Sequence, residues 1–432
     1  MIYIQMINLL TYQSQKTKMI IKNFKNITND LLKNLSFIML SKFFILFIGF
    51  LTSITWANFS DPDTYGKYLL FISFFVFFNA FSLPGLPTSA QISAAKGYDG
   101  NLLIITKTKV FYSTIGSLGF IILGIYYYFE KNDYPLSLLC IISVVFYPFY
   151  NLDTIWDSWI NSKKEFFKLS ILQALISLII FISIVLTLFF FNNLLVVVFC
   201  LLIFKTIINL LVLNYIKKSL STNNRKDQNT IKYGFQLSYA LIIPILLMSS
   251  ERFIISEMLT YKDISIFAIS SIFPGIITAF YGVINRIITP YITEATDIIE
   301  AYRYLKKFLN LIILFFLIVT IVGYFFIDLI ITTFYPKVFQ EAITYAQILW
   351  IFCGITAPAT YLANILRAQK IIKFSIYFEQ ANSFLKIFLG ILMIYFFGLI
   401  GLVYTYCIAN LFGALLFILY FIYEYKKEYK KV

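Results

Sequence analysis

The sequence predicts an all-α polytopic membrane protein of about twelve transmembrane helices, in two six-helix lobes related by a pseudo-two-fold axis along the membrane normal. Hydrophobic residues make up 60% of the 432-residue chain and charged residues only 13%, which is outside the usual range of soluble domains. Apolar runs of about 20 residues, long enough to cross a bilayer, recur along the chain. A single long polar connection divides these runs evenly.

The apolar runs define twelve predicted spans. We place them approximately at residues 35–57, 66–88, 105–129, 135–156, 166–190, 194–215, 233–258, 264–288, 308–332, 341–366, 372–397 and 400–423. Cytoplasmic loops of membrane proteins are enriched in Lys and Arg, and 26 of the 35 basic residues, Lys107 and Lys109 among them, fall on one side. The opposite side holds only Lys67, Lys131, Lys262 and Lys337. This asymmetry predicts that both termini are cytoplasmic.

The polar connection at residues 215–234 sets the predicted domain organisation. We predict a cytoplasmic tail at 1–34, an N-terminal six-helix lobe at 35–215, a linker at 216–232, a C-terminal lobe at 233–423 and a basic tail at 424–432. A weak similarity between residues 60–73 and 257–270, at an offset near 199, favours two lobes of the same orientation. The segment that begins at Met19 is a more natural start for such a chain. Residues 1–18 are therefore expected to be an extension or tail without function.

The composition argues against several classes of function. The chain has no histidine, the commonest general base and metal ligand. All four cysteines lie in apolar runs, where we interpret them as small hydrophobic residues rather than metal ligands or disulfides: Cys140, Cys200, Cys353 and Cys407. The basic residues are scattered among short loops, which does not predict nucleic-acid binding. We therefore expect no catalytic site, metal or cofactor.

One predicted span carries a polar stripe in which Glu379, Asn382, Ser383 and Lys386 follow helical spacing on one face. A charge that faces lipid near the bilayer centre costs at least about 2.5 kcal/mol, so this face should point at protein or water. Two interpretations remain open: a structural link between Glu379 and Lys386, or the lining of a hydrated lumen.

A second stripe of small and polar residues runs along the eighth predicted span. It consists of Ser271, Gly275, Thr278, Gly282, Asn285 and Thr289. Small residues at this spacing usually indicate close helix packing in lipid. A hydrated groove explains the pattern as well, and Asn285 beside Arg286 favours water at the cytoplasmic end.

The seventh predicted span combines Pro244 with Glu251 and Arg252. Proline removes a backbone donor, which predicts a bend near residues 240–244. The guanidinium of Arg252 stays charged and can bind phosphate through two parallel hydrogen bonds. The alternative is a charge patch at the outer membrane interface, where long side chains reach water.

Two further cations, Lys42 and Lys205, complete the intramembrane set. Lys205 has Asn209 one turn later on the same face, whereas Lys42 lies close enough to the end of its span that we favour contact with the cytoplasmic headgroups. The cations Lys42, Lys205, Arg252 and Lys386 outnumber the anions Glu251 and Glu379. Such a lumen would suit an anion.

Three other segments carry local predictions. The LPGLP of residues 83–87, and Pro148, are positions where membrane helices are expected to bend. Apolar and charged residues alternate with helical period over residues 298–306, which predicts an amphipathic helix on the cytoplasmic surface.

Three motifs resemble polysaccharide flippases of the Wzx type, found in O-antigen and capsule synthesis. They are DPDTYGKYLLFISFFVFFNAFSLPGLPTSAQISAAKGYDG with Gly66 and Tyr68, YGFQLSYALIIPILLMSSERFIISEMLTYKDISIFAIS, and ITPYITEATD. Ser265 stands where this family often has glycine. The family belongs to the MOP superfamily with the MATE exporters and the MurJ-type lipid II flippases, and the resemblance covers nearly all of the chain after about residue 30.

The resemblance implies that the chain moves an undecaprenyl-diphosphate-linked oligosaccharide, a repeat unit of lipopolysaccharide or another polysaccharide, to the outer leaflet of the bacterial inner membrane. Alternating access between the lobes would drive this movement without enzymatic chemistry. The expected substrate contacts are Arg252, Lys386, Lys205 and Lys42, with a polar lining of Glu251, Glu379, Asn382, Ser383, Asn285 and Thr278. Expected partners are this glycan, membrane lipids, a polysaccharide polymerase and a chain-length regulator.

Two rival functions remain open. A MATE-like, cation-coupled exporter of small molecules would need enclosed acidic residues in the first lobe; none lies deep in spans one to three, and Asp153 and Asp157 are expected near the cytoplasmic end of span four. An integral-membrane polysaccharide polymerase would need a long external loop with catalytic residues, whereas the external loops here are short.

Overall fold

A computed structural model describes residues 37–220, 225–295, 297–369 and 371–430; the predicted tail at 1–34 lies outside them. Within this part of the chain, eleven helices are long and apolar enough to span a membrane, and no strand occurs. The protein is therefore a multi-pass, all-α membrane protein, which confirms the predicted fold class.

The helices follow one another with short connections. The N-terminal half contains α1 (Phe37–Phe59), α2 (Pro62–Asn79), α3 (Leu86–Ala95), α4 (Asn101–Phe129), α5 (Tyr134–Tyr150), α6 (Asp153–Ser162), α7 (Phe166–Phe191) and α8 (Leu194–Ser219). The C-terminal half contains α9 (Thr230–Ser249), α10 (Glu251–Met258), α11 (Tyr261–Glu294), α12 (Ile298–Phe334), α13 (Glu341–Ala368), α14 (Ile372–Phe397) and α15 (Leu399–Tyr429).

The predicted span at 66–88 is not one helix. Helix α2 ends at Asn79 and α3 begins at Leu86. Between them Leu83 has a φ of 53°, a left-handed conformation that interrupts a right-handed helix, and Pro84 follows it without an N–H to donate. The prediction of one continuous span is therefore wrong, although the LPGLP motif marks the position of the break.

Two other breaks occur near prolines. Helix α5 ends at Tyr150, two residues after Pro148, and α6 begins at Asp153. Helix α9 continues through Pro244 and ends at Ser249. The interruption of the helix lies several residues after Pro244, at Ser250, and the predicted bend near residues 240–244 stays a prediction.

The amphipathic segment at 298–306 does not form a separate surface helix. It is the first part of α12, which runs unbroken to Phe334. The ring of Tyr302 lies 5.2 Å from that of Phe421 in α15, and Leu305 is fully buried. Its apolar face packs against protein, so the prediction of a helix lying on the membrane surface is wrong.

The two halves form lobes that meet through α2 with α11 and through α3 with α9. At the first contact, a Cβ on Gly66 would stand 1.8 Å from the carbonyl oxygen of Tyr261, so only glycine allows this approach. Beside it the amide of Lys262 donates to Asp63, 199 residues earlier, at 2.9 Å. At the second contact the amide of Gly85 donates to Ser238 Oγ at 2.9 Å. The exact lobe boundaries remain predictions.

Candidate functional site

The N-terminal lobe encloses a cavity of about 330 Å³ among α1, α6, α7 and α8. We call it the N-lobe cavity. Its polar lining consists of Lys42, Asp153, Thr154, Asp157, Gln173, Ser177, Lys205 and Asn209. The fold thus brings together Lys42 and Lys205, two predicted site residues on different helices. Lys42 lies at the exposed part of this lining, within electrostatic range of Asp157.

The ammonium group of Lys205 is already paired. Its Nζ lies 3.2 Å from Asp153 Oδ2 and 3.9 Å from the centre of the Tyr150 ring. These contacts compensate a cation that would otherwise be costly inside apolar helices. Asn209 has a structural role beside it, because its amide nitrogen donates to the carbonyl oxygens of Phe149 and Tyr150 at 3.0 and 2.9 Å.

Two acidic residues named in the sequence analysis, Asp153 and Asp157, also belong to this cavity. Asp153 and Asp157 lie one turn apart on α6 and both line it, and Gln173 donates a hydrogen bond to Asp157. Their position on α6 leaves the expectation of no acidic residue deep in the first three spans unchanged. Their spacing of four residues places them on one helix face, and the cavity they share with Lys42 and Lys205 was not predicted. With Lys42 and Lys205, the formal charges of the N-lobe cavity balance.

The C-terminal lobe holds a larger cavity of about 530 Å³ among α9, α10, α14 and α15, the C-lobe cavity. Its polar and aromatic lining includes Glu251, Gln380, Asn382, Ser383, Lys386 and Tyr406. Lys386 Nζ lies 4.9 Å from the centre of the Tyr406 ring and interacts electrostatically with Glu251. The side chain of Glu379 lies outside the described residues, so the predicted link between Glu379 and Lys386 stays a prediction.

Asn382 gives the C-lobe cavity an unused hydrogen-bond acceptor. Its Oδ1 is buried and has no partner among the described residues. A buried polar atom left unpaired costs about 1–3 kcal/mol, and such atoms are uncommon in native structures. A bound ligand could satisfy the carbonyl of Asn382 if the side chain turns toward the cavity that the residue lines.

Arg252 lies at the contact between the lobes rather than in either cavity. Its Nη1 donates to the carbonyl oxygen of Leu69 in α2 at 2.8 Å. Tyr68 stacks on Trp56 nearby, with ring centres 4.3 Å apart. Arg252 therefore turns toward the other lobe, whereas a snorkelling side chain at the outer interface would turn toward solvent.

The stripe along α11 borders open space. A Cβ on Gly275 or Gly282 would find no atom within 4 Å, and Thr278 is exposed. The structure therefore shows no close helix packing at Gly275 and Gly282 among the described residues, and the hydrated groove stays a prediction. Asn285 is held in place, because its Oδ1 accepts a hydrogen bond from Asn364 Nδ2 at 2.7 Å.

Lys109 is a buried cation that the sequence analysis placed on the cytoplasmic side. It is 1% exposed, and its Nζ donates to Asn79 Oδ1, at the end of α2, at 3.1 Å. Lys109 lies two turns inside α4, where protein surrounds its side chain. Its expected position on the cytoplasmic side stays a prediction.

The lobes are joined at the end that the charge distribution predicts to be external. Glu257 of α10 accepts a hydrogen bond from Tyr126 at 3.0 Å and pairs with Lys131 at 2.7 Å. Together with the contact between Asp63 and Lys262, these residues form what we call the external seal. The hydrogen bond with Glu257 raises the pKa of Lys131, so the ammonium group of Lys131 is charged at neutral pH.

The arrangement of two helical lobes is also found in solved structures of membrane proteins. The chain is similar to an inward-facing multidrug resistance MATE family transporter of the MOP superfamily, with a TM-score of 0.65 and 11% identity, covering 88% of this chain and 96% of that chain. It is also similar to the outward-facing conformation of such a transporter, with a TM-score of 0.64 and 11% identity over 93% and 97% of the two chains.

A third similar structure is a MOP superfamily transporter from Pyrococcus furiosus, for which the reverse polarity of the binding pocket is described as suggesting a different function. Its TM-score is 0.63 at 11% identity, covering 90% of this chain and 95% of that chain. No family model and no curated protein matches the chain. The chain therefore has the fold of MOP superfamily transporters.

Proposed function

We propose that this protein is a flippase that moves an undecaprenyl-diphosphate-linked oligosaccharide from the cytoplasmic to the outer leaflet of a bacterial inner membrane. The observation that carries the proposal is the C-lobe cavity, whose lining includes Lys386 and Asn382, a residue with an unpartnered buried carbonyl. The sequence motifs that resemble Wzx-type flippases point to the same substrate class.

The chemistry of the C-lobe cavity fits a glycan carried on a diphosphate. The ammonium group of Lys386 can bind phosphate oxygens, and the Asn382 carbonyl can accept a hydrogen bond from a sugar hydroxyl. Glu251, at the cavity wall, can accept a hydrogen bond from a further sugar hydroxyl. In this proposal Lys42, and Lys205 once it is released from Asp153, offer further cations to the diphosphate in the N-lobe cavity, while the lipid tail stays in the bilayer.

The external seal supports alternating access as the mechanism. Its contacts join the N-terminal lobe to the C-terminal lobe, so Glu257 must release Tyr126 and Lys131 before a path can open at that end. Opening and closing of this seal would move the headgroup across the membrane without any change of a covalent bond. The flipped glycan would then pass to a polysaccharide polymerase and a chain-length regulator.

A MATE-like exporter coupled to a cation is the second candidate, and the N-lobe cavity favours it. Asp153 and Asp157 are enclosed there, and carboxylates are the groups that a coupling cation would bind. Against this, Lys205 already pairs with Asp153 at 3.2 Å. The second candidate therefore needs Asp157, or an opening of that ion pair, to bind the cation.

The decisive experiment measures both oligosaccharide flipping and drug export. We expect deletion of the gene to cause lipid-linked oligosaccharide to accumulate on the cytoplasmic face, and the intact gene to restore its export. Normal oligosaccharide turnover together with new sensitivity to cationic drugs would instead establish the second candidate.

Arg252→Ala tests the contact between the lobes in the same strain. We expect it to abolish glycan export while the protein still inserts, because the hydrogen bond to Leu69 is lost. Arg303→Ala is the matched control, since Arg303 is an exposed arginine near the start of α12. Normal export by the Arg252 variant would show that this residue has no part in transport.

A further inference from the structure

A third cavity lies on the surface of the N-terminal lobe and is separate from both polar cavities. It is a groove of about 550 Å³ between α4 and α8. Its walls are largely apolar, with Leu103, Val110 and Phe111 from α4 and Leu210 and Leu213 from α8. Leu103, Phe111 and Leu210 are each more than one third exposed, so this lining faces the surrounding membrane.

The groove exists because α5 ends early. Helix α5 packs against both α4 and α8, but it stops at Tyr150, where Asn209 of α8 holds the free carbonyl oxygens. The chain then continues as α6, which packs against α3. Phe149 and Leu152, at the break, line the groove, and nothing among the described residues fills the space above them.

The cytoplasmic end of the groove carries two lysines. Lys107 of α4 and Lys217 of α8 both line it, together with Asn214. Both lysines are exposed, and neither forms an ion pair within the described ranges. Basic pockets between transmembrane helices on the cytoplasmic side are typical binding sites for anionic lipid headgroups.

The groove extends from the lysines into one leaflet. From Lys107 to Thr114, the last residue that lines it on α4, the helix rises about 10 Å. Half of a bilayer's hydrocarbon core is about 15 Å. The first part of an acyl chain that starts at the lysines would therefore lie along the groove, within the same leaflet.

We propose that this groove binds one anionic phospholipid of the cytoplasmic leaflet. Its phosphate lies between Lys107 and Lys217, and one acyl chain follows the apolar walls of α4 and α8. The two lysines beside an apolar groove favour an anionic headgroup, because an acyl chain and a phosphate can bind there together. The site is separate from the transported substrate and does not depend on which substrate is carried.

The test uses the full-length purified protein with phosphatidylglycerol and, in parallel, phosphatidylcholine of the same acyl chains. Native mass spectrometry counts retained lipids, and a thermal shift titration gives the affinity. We expect one tightly held phosphatidylglycerol and no equivalent phosphatidylcholine. In the Lys107→Ala and Lys217→Ala double variant, binding should weaken about 30-fold, since each lysine contributes about 1 kcal/mol.

A matched control is the Lys96→Ala and Lys306→Ala double variant, which removes two exposed cytoplasmic-side lysines away from the groove. It should bind phosphatidylglycerol as the parent does. A second variant, Leu213→Trp, fills the acyl-chain path and should also lose the bound lipid, while its elution profile in lipid-free detergent stays that of the parent.

Three results would overturn the proposal. The first is equal retention of phosphatidylcholine and phosphatidylglycerol, and the second is unchanged affinity in the Lys107 and Lys217 double variant. The third is displacement of the bound lipid by an equimolar amount of undecaprenyl phosphate, which would assign the groove to a polyprenyl lipid instead.

Discussion

The two polar cavities differ in how their charges are satisfied. In the N-lobe cavity, Lys205 pairs with Asp153 at 3.2 Å, and Asp157 accepts a hydrogen bond from Gln173. In the C-lobe cavity, Lys386 rests over the ring of Tyr406, and Asn382 Oδ1 has no partner among the described residues. The first cavity therefore uses its polar groups to hold helices together, whereas the second keeps hydrogen-bonding capacity available for a ligand.

Lys205→Ala should have the largest effect on stability. It leaves the Asp153 carboxylate in the cavity without its cation, and such a loss costs about 1–3 kcal/mol. The midpoint temperature of thermal unfolding, monitored by size-exclusion chromatography, should fall clearly. The double variant Lys205→Ala and Asp153→Ala should recover most of that loss, because no charge is then left unpaired. If the double variant is less stable than the single one, the pair does not hold the lobe together.

Lys386→Ala should show the opposite behaviour, with a large effect on transport and a small one on stability. We expect glycan transport to fall at least about tenfold, which corresponds to 1.4 kcal/mol, because the phosphate-binding cation is gone. Lys386→Arg should be milder, since it keeps the charge. A transport assay in reconstituted vesicles measures both. Restored transport after exchange of Glu379 and Lys386 would instead assign Lys386 to a structural pair.

Asn382→Leu should have the smallest effect on stability. The substitution removes a buried carbonyl that has no partner, so the unfolding midpoint should stay unchanged or rise by the equivalent of up to about 1 kcal/mol. Transport should fall a few-fold, because a sugar hydroxyl loses its acceptor. A lower midpoint would show that the carbonyl has a structural partner after all.

Much of the fold could be predicted from the sequence, because span length and loop charge are local properties. The positions of Lys386 and Asn382 on one helix face also follow from helical period alone. The partner of Lys205 could not be predicted in the same way. Asp153 lies on another helix, α6, whose start depends on the break after Pro148, and the sequence gives no distance between the two.

Helix breaks were the other limit on prediction. The LPGLP motif marked a bend, but only the structure shows that α2 ends at Asn79 and that Lys109 reaches its end. Likewise, the sequence gives no sign that Gly66 lies against the backbone of Tyr261 in the other lobe. Contacts between distant segments depend on how the helices pack, which a single sequence does not encode locally.

Helix α10 has a mechanical consequence for transport. It is eight residues long, which is about 12 Å, and it carries Glu251 on the wall of the C-lobe cavity and Glu257 in the external seal. A segment of two turns moves as one piece, so a tilt about the interruption at Ser250 shifts both carboxylates together. In the proposed mechanism, ligand binding in the C-lobe cavity and opening of the external seal are therefore coupled through this one short helix.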